Sequence, residues 1–183
     1  MSESKYNIDE LISEALEIGF SHAGPLNMDA LVFMPEVREM CSVDRCHKYG
    51  RSWTCPPACG TLEEITQIAS TYTSGLIVQT TGELEDEFDA ETTMQAAADQ
   101  GESFKKFHKI IKDRFDGILP MGSGGCSICG DCTYPDAPCR FPDLAFPSME
   151  AYGLWVSKVC EISEIPYYYG KNTITYTSCF LFK

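Results

Sequence analysis

No stretch of this chain reaches the apolar length of a membrane span, and its opening residues, MSESKYNID, are polar with no apolar signal region. Both absences point to a chain that stays in the cytoplasm and makes no membrane contact. Basic residues are few, 14 Lys and Arg against 27 Asp and Glu, giving a formal charge of −13. That balance disfavours nucleic acid and anionic lipid as partners. A Gly-rich phosphate loop, a nucleophile elbow and a paired-carboxylate motif are also missing, so none of the chemistries those motifs announce is indicated. There is no low-complexity tract, and no internal repeat beyond a loose doubling of two cysteine loops. Nothing divides the 183 residues, which read as a single domain long enough to build a hydrophobic core without help from disulfides.

What the chain has in excess is cysteine, ten residues in all. Eight of them fall into two tight groups of four: Cys41, Cys46, Cys55 and Cys59, then Cys126, Cys129, Cys132 and Cys139. In a chain that is not exported the thiols stay reduced, and Cys-x-x-Cys patterns then read as metal sites rather than disulfides. Four thiolates are what a tetrahedral ion or a cubane iron–sulfur cluster needs.

The remaining pattern is that of an α/β protein, a small mixed sheet with flanking helices. Asn7 with Glu10 looks like a capping box opening a helix that stops at Gly19. Phe20 to Leu26 reads as a strand, and Asp29 to Met40 as a helix interrupted near Pro35. Thr61 with Glu64 forms a second capping box, and Leu76, Ile77 and Val78 a buried strand. A long helix is expected over about residues 90–115, with Phe104, Phe107, Ile111 and Phe115 on one face. Ile118 and Leu119 start a short strand. Ser148 is placed to cap a helix carrying Tyr152, Trp155, Val156, Val159 and Ile162. Ile165 to Tyr169 and Thr173 to Phe182 read as a hairpin. The acidic run from Glu83 to Glu102 reads as a solvated loop and helix start. Cys160 and Cys179 fall on apolar faces and read as core residues. His22 and His108, away from the cysteines, read as surface or packing residues.

The loop at residues 126–139 is the sharper signal. Cys126-x-x-Cys129-x-x-Cys132 sets three sulfurs along one turning loop, as in bacterial ferredoxins, with Cys139 and its neighbour Pro138 following. Gly122, Gly124, Gly125 and Gly130 allow backbone amides to approach the sulfurs and tune them. A zinc site more typically pairs two distant Cys-x-x-Cys units, so the spacing favours a [4Fe–4S] cluster. The loop at residues 41–59 suits a cubane or a zinc ion, with His47 as an alternative ligand. Arg38, Arg45, Lys48 and Arg51 surround it and offset thiolate charge. Trp53 is placed either to shield the site or to pack in the core. Cys59 and Cys139 are open to exchange between the two sites.

The runs CHKYGRSWTCPPACGTLEE and GGCSICGDCTYPDAPCRFPDLAFPSMEAYG, at Cys46–Glu64 and Gly124–Gly153, resemble those of a family of predicted metal-binding proteins, domain of unknown function 2284. The resemblance spans most of the chain, from about Ser21 to the last strand. It implies metal ligation by Cys41, Cys46, Cys55, Cys126, Cys129, Cys132 and Cys139, with Cys59 beside them. The expectation is an iron–sulfur protein with one or two [4Fe–4S] clusters that passes single electrons to a redox partner protein in an anaerobic metabolism. The alternatives are a structural zinc module that mediates protein contacts, and an enzyme that binds a small molecule at an open cluster corner. The two loops are expected on the same side of the molecule, with Trp53 or Tyr134 between them.

Overall fold

A computed structural model describes residues Asn7 to Lys183, so the segment Met1–Tyr6 of the polar opening lies outside the described residues. The architecture is α/β. The elements run α1 (Ile8–Ile18), β1 (His22–Pro25), α2 (Pro35–Met40), α3 (Leu62–Ala69), β2 (Ser74–Glu83), α4 (Ala90–Ile111), β3 (Ile118–Met121), α5 (Val156–Ile162) and β4 (Thr173–Phe182). The four strands form one sheet in the order β1-β2-β4-β3. Each ladder is antiparallel, so the sheet is small, as expected, but not mixed. The parallel pairing of Gly122 with Ser148 is an isolated bridge.

Period-two alternation along the two central strands explains the layering. Leu76 and Val78 of β2 with Phe180 and Phe182 of β4 face α1 and α4, where Leu11, Phe104, Phe107 and Ile111 cover them. Ile77, Cys179 and Leu181 face the opposite way, against α5 and the Met149–Leu154 segment. Both faces are therefore covered, which is why Leu76-Ile77-Val78 reads as an unbroken apolar run. Cys160 and Cys179 are fully buried in this second layer, as core residues.

Local signals explain most element ends. Thr61 and Glu64 close a full capping box on α3, with Glu64 N–H donating to Thr61 Oγ1 at 3.1 Å and Thr61 N–H to Glu64 Oε2 at 2.7 Å. Asn7 caps α1 by accepting from Asp9 N–H rather than from Glu10, so a cap is present without the box. Asp89, inside the acidic run, caps α4 by accepting from Thr92 N–H. That helix ends at Ile111, and Phe115 stacks on Phe182 from beyond its end, with ring centroids 4.3 Å apart.

Two expectations change. Ser148 does not start a helix. Its hydroxyl accepts from Ala151 N–H in a turn, Gly153 then takes a left-handed φ of +90°, and α5 begins only at Val156. Ile165 to Tyr169 does not pair with β4 as a hairpin; β4 pairs with β2 along its full length and with β3 over Cys179–Phe182. The segment is held by side chains instead: Ile165 packs on the second core layer, and Tyr169 donates to Gln79 Oε1 at 2.6 Å and stacks on His22.

Candidate metal centre

The loop at residues 41–59 connects α2 to α3 without regular structure beyond one short 3₁₀ turn, Cys41–Val43. Its shape comes from its own backbone. Gly50 N–H donates to Pro56 O at 2.9 Å, and Cys59 N–H to Cys55 O at 3.1 Å. Asp44, in the left-handed region at φ 54°, accepts from Tyr49 N–H and pairs with Arg51 at 3.2 Å. Cys55 is buried, Cys41 and Cys59 are half-buried, and Cys46 is exposed, as is His47. Cys41, Cys46 and Cys55 lie close enough to influence one another's charge, and Cys59 is within reach of Cys55 and Cys41.

The loop at residues 126–139 follows β3. It is anchored where Gly122 N–H donates to Pro147 O at 2.8 Å and Met149 N–H to Gly122 O at 3.1 Å. Thr133 Oγ1 donates to Pro138 O, and Arg140 to Asp131 O, which holds the far end of the loop against its middle. Cys126, Cys129, Cys132 and Cys139 all line one cavity of about 20 Å³, together with Lys48 and Ser52 from the first loop.

The two loops interlock. Trp53 Nε1 donates to Ala137 O at 3.0 Å, and the Trp53 ring meets Tyr134 edge-on at 4.9 Å. The Lys48 side chain packs over Gly125, and Cys55 lies within electrostatic reach of Cys126. The cysteine groups thus share one side of the molecule, with Trp53 and Tyr134 between them. Trp53 is half-buried, covering the site rather than filling the core. Cys59 and Cys139 also meet at a wider opening of about 580 Å³, lined as well by Trp53 and Tyr152.

Burial decides the state of Cys41, Cys55 and Cys59. It pushes Cys59 up to about 11, against the opposing pull of Arg38, and raises Cys55 despite hydrogen bonds from Thr54 and Ser52. Cys41 is raised by burial, then by Cys55 and Glu150, with Arg38 again opposing. Of the basic residues expected to favour the thiolates here, Arg38 does so directly and Arg51 is taken by Asp44. Lys48 belongs to the second cavity. Cys132 behaves differently. Burial raises it, but backbone hydrogen bonds from Tyr134 and Trp53, the Ser52 hydroxyl and Thr133 outweigh that and bring it below the usual thiol value.

Arg38 is the residue that sequence spacing marks only as a nearby charge. From α2 its Nη2 donates to Gly60 O and lies 3.9 Å from Cys59 Sγ, while its Nη1 is buried with no hydrogen-bond partner among the described residues. Ser52 and Glu150 were not legible as site residues, because neither belongs to a cysteine motif. Solvent still reaches the Glu150 side chain, but protein crowds its carboxyl and raises its pKa.

Among the described residues, no three His, Cys, Asp or Glu side chains converge on one point as a single ion requires. The donor set is nonetheless that of a thiophilic metal. Four thiols share one cavity, hydrogen bonds already reach one of them, and cations stand beside both groups.

An α/β domain with two interlocked four-cysteine loops at one side of its sheet defines a class of candidate metal-binding proteins. The family model for predicted metal-binding proteins, domain of unknown function 2284, matches residues 24–182, and the chain belongs to that family. No curated protein and no solved structure matches the chain.

Proposed function

We propose that the loop at residues 126–139 binds a [4Fe–4S] cluster through Cys126, Cys129, Cys132 and Cys139, and that the protein exchanges single electrons with a redox partner protein. The observation that carries this reading is that all four cysteines of a ferredoxin-like run line one cavity. A zinc ion draws its sulfurs to about 2.3 Å from a common centre, whereas a cubane spreads them over its corners. When bound, the cluster supplies reversible one-electron storage. The protein's own part is to hold the sulfurs, to donate to Cys132 from Tyr134, Trp53 and Ser52, and to limit water access through Trp53 and Tyr134. Cys41, Cys46, Cys55 and Cys59 are the ligand set for a second centre, with Arg38 offsetting its charge. Met40 beside the first loop, Val43 within it, and Phe141 and Leu144 beyond the second are exposed apolar side chains suited to transient docking of the partner.

One observation favours a second reading. The shared cavity, at about 20 Å³, has room for little more than one water, so a single zinc ion enters it with less movement of the loop than a cluster requires. A structural zinc module would then mediate protein contacts through the same loops.

Metal and sulfide analysis of protein made and purified without oxygen separates the two. Iron with labile sulfide and a brown absorption spectrum is the expected result. Stoichiometric zinc in a colourless, sulfide-free sample would falsify the cluster reading.

A further inference from the structure

Next to Cys126, on the side facing α4, an open cavity of about 410 Å³ is bounded by the helix, β4 and the glycines that lead into the cysteine loop. Its size falls in the range of small-molecule sites. The wall on α4 consists of Ala97, Ala98 and Gly101, and a side chain at Gly101 would meet nothing within 4 Å. Glycine inside a helix costs about 1 kcal/mol relative to alanine, so a core-packing role would favour a larger residue at this position. Phe104 and Phe146 supply apolar walls.

The polar groups are few and free. Lys105 is half-buried in the wall of the cavity and makes no ion pair among the described residues; Glu102, whose charge it also feels, pairs with Lys106 at 2.6 Å. In a chain of formal charge −13, an unpaired lysine in an apolar cavity wall is a specific positive feature. Ser178, fully buried behind the wall, is held by Gln100 Nε2 at 2.9 Å, whereas the half-buried Tyr176 hydroxyl makes no hydrogen bond among the described residues. Buried Gln100 fixes Ser178 in turn, since its Oε1 is held by Thr80 at 2.7 Å.

We infer that this cavity binds a small molecule with a flat or branched apolar body and one anionic head. The head pairs with Lys105 and accepts from the Tyr176 hydroxyl, and the body lies along Ala97, Ala98 and Gly101. The pocket stands without any metal. Its position beside Cys126 makes the bound molecule a neighbour of the proposed cluster, and that part alone rests on the proposed function.

The test uses the full chain purified anaerobically, with metal content measured on the same sample. Calorimetric titration compares 2-naphthoate with its neutral counterpart 2-naphthalenemethanol. Naphthoate is expected to bind one to one, at least about tenfold more tightly than the alcohol, the scale of one charge-assisted hydrogen bond. Lys105→Met should bring naphthoate down to the level of the alcohol. Gly101→Leu should abolish binding of both while the far-ultraviolet spectrum and thermal midpoint show a folded protein, and Ala97→Leu serves the same purpose if that variant does not fold. Absence of saturable binding, or binding that neither Lys105→Met nor a filled cavity changes, overturns the inference. A metal-loaded sample that ignores naphthoate refutes the pocket and leaves the metal centre standing. A folded sample without metal that binds it supports the pocket and removes the cluster.

Discussion

Arg38 ties the first cysteine loop to the start of α3 through one guanidinium, donating to Gly60 O and leaning on Cys59. An unpartnered buried nitrogen such as its Nη1 costs free energy unless a neighbouring negative charge compensates, and thiolates around a bound metal provide that charge. Cysteines outside the loops lack such company. Cys160 is fully buried, lies 3.7 Å from Gln79 Nε2, and burial pushes its thiol up to about 11. Replacing Cys129 with Ser should therefore remove the metal of the second loop and lower the thermal midpoint, as loss of a ligand bound only to the native state requires. Cys160→Ser should keep full metal content and lose only about 1–3 kcal/mol, the cost of burying a hydroxyl. Metal analysis of both variants decides it, and loss of metal from Cys160→Ser alone would show the ligand assignment to be wrong.

His108 offers a separate check at the same scale. Burial lowers its pKa, with Lys112 acting the same way and Asp143 opposing, and its ring meets Phe146 edge-on at 4.7 Å. The unfolded chain then takes up this proton more readily than the native state. The stability His108 contributes is present above the unfolded value of about 6.5 and is lost as pH falls through the lower folded value. The urea midpoint of the wild type should drop across that window, and His108→Phe should flatten the drop. An unchanged pH profile in the variant would remove His108 from the account.

At the scale of elements, what was legible in the sequence was mostly what local chemistry decides alone. The Thr61–Glu64 box, the start of the long helix near residue 90 and the buried run Leu76-Ile77-Val78 appear where their residue types place them. The hairpin at Ile165–Tyr169 failed because the alternation there serves side-chain docking onto Gln79 and His22, which only tertiary placement reveals. The cysteine groups could be read as ligand sets. Their meeting on one side, with Trp53 or Tyr134 between them, was expected as well, but the particular contacts were not legible, since Trp53 reaching Ala137 and Lys48 crossing Gly125 join segments about 80 residues apart. Gly153 marks another such junction. Its carbonyl accepts from Met34 N–H at 2.8 Å, its φ is +90°, and a Cβ there would stand 2.9 Å from Met34 O and 2.8 Å from the Leu62 side chain. The clash with backbone cannot be relieved by a rotamer change, so Gly153→Ala should destabilise the protein by more than about 1 kcal/mol and loosen α2 and α3 around the first cysteine loop. A denaturation midpoint equal to that of the wild type would show that this junction carries little.

Across the whole molecule the hydrophobic layers and the cysteine loops are nearly separate. Of the eight loop cysteines only Cys55 is buried, while the two core clusters are built mainly from the sheet, α1, α4, α5 and the Met149–Leu154 segment. A sheet buried on both faces holds itself together, whereas loops with little regular structure rely on a few hydrogen bonds and on whatever their thiols bind. Metal binding should accordingly stabilise the loops first and the sheet only through them. Treating the purified protein with a chelator under reducing, oxygen-free conditions should speed amide exchange across residues 41–59 and 126–139 together, because Trp53, Tyr134 and Lys48 couple the two. Protection along residues 74–83 and 173–182 should persist, since these strands pair over ten residues each and lie in the buried sheet. Release of one loop alone would mean that the contacts through Trp53 do not couple them. Loss of protection in the sheet would mean that the metal holds the fold itself, and a Trp53→Ala variant should then lower the thermal midpoint of the loaded protein far more than the about 1–3 kcal/mol expected for a lost aromatic contact and hydrogen bond.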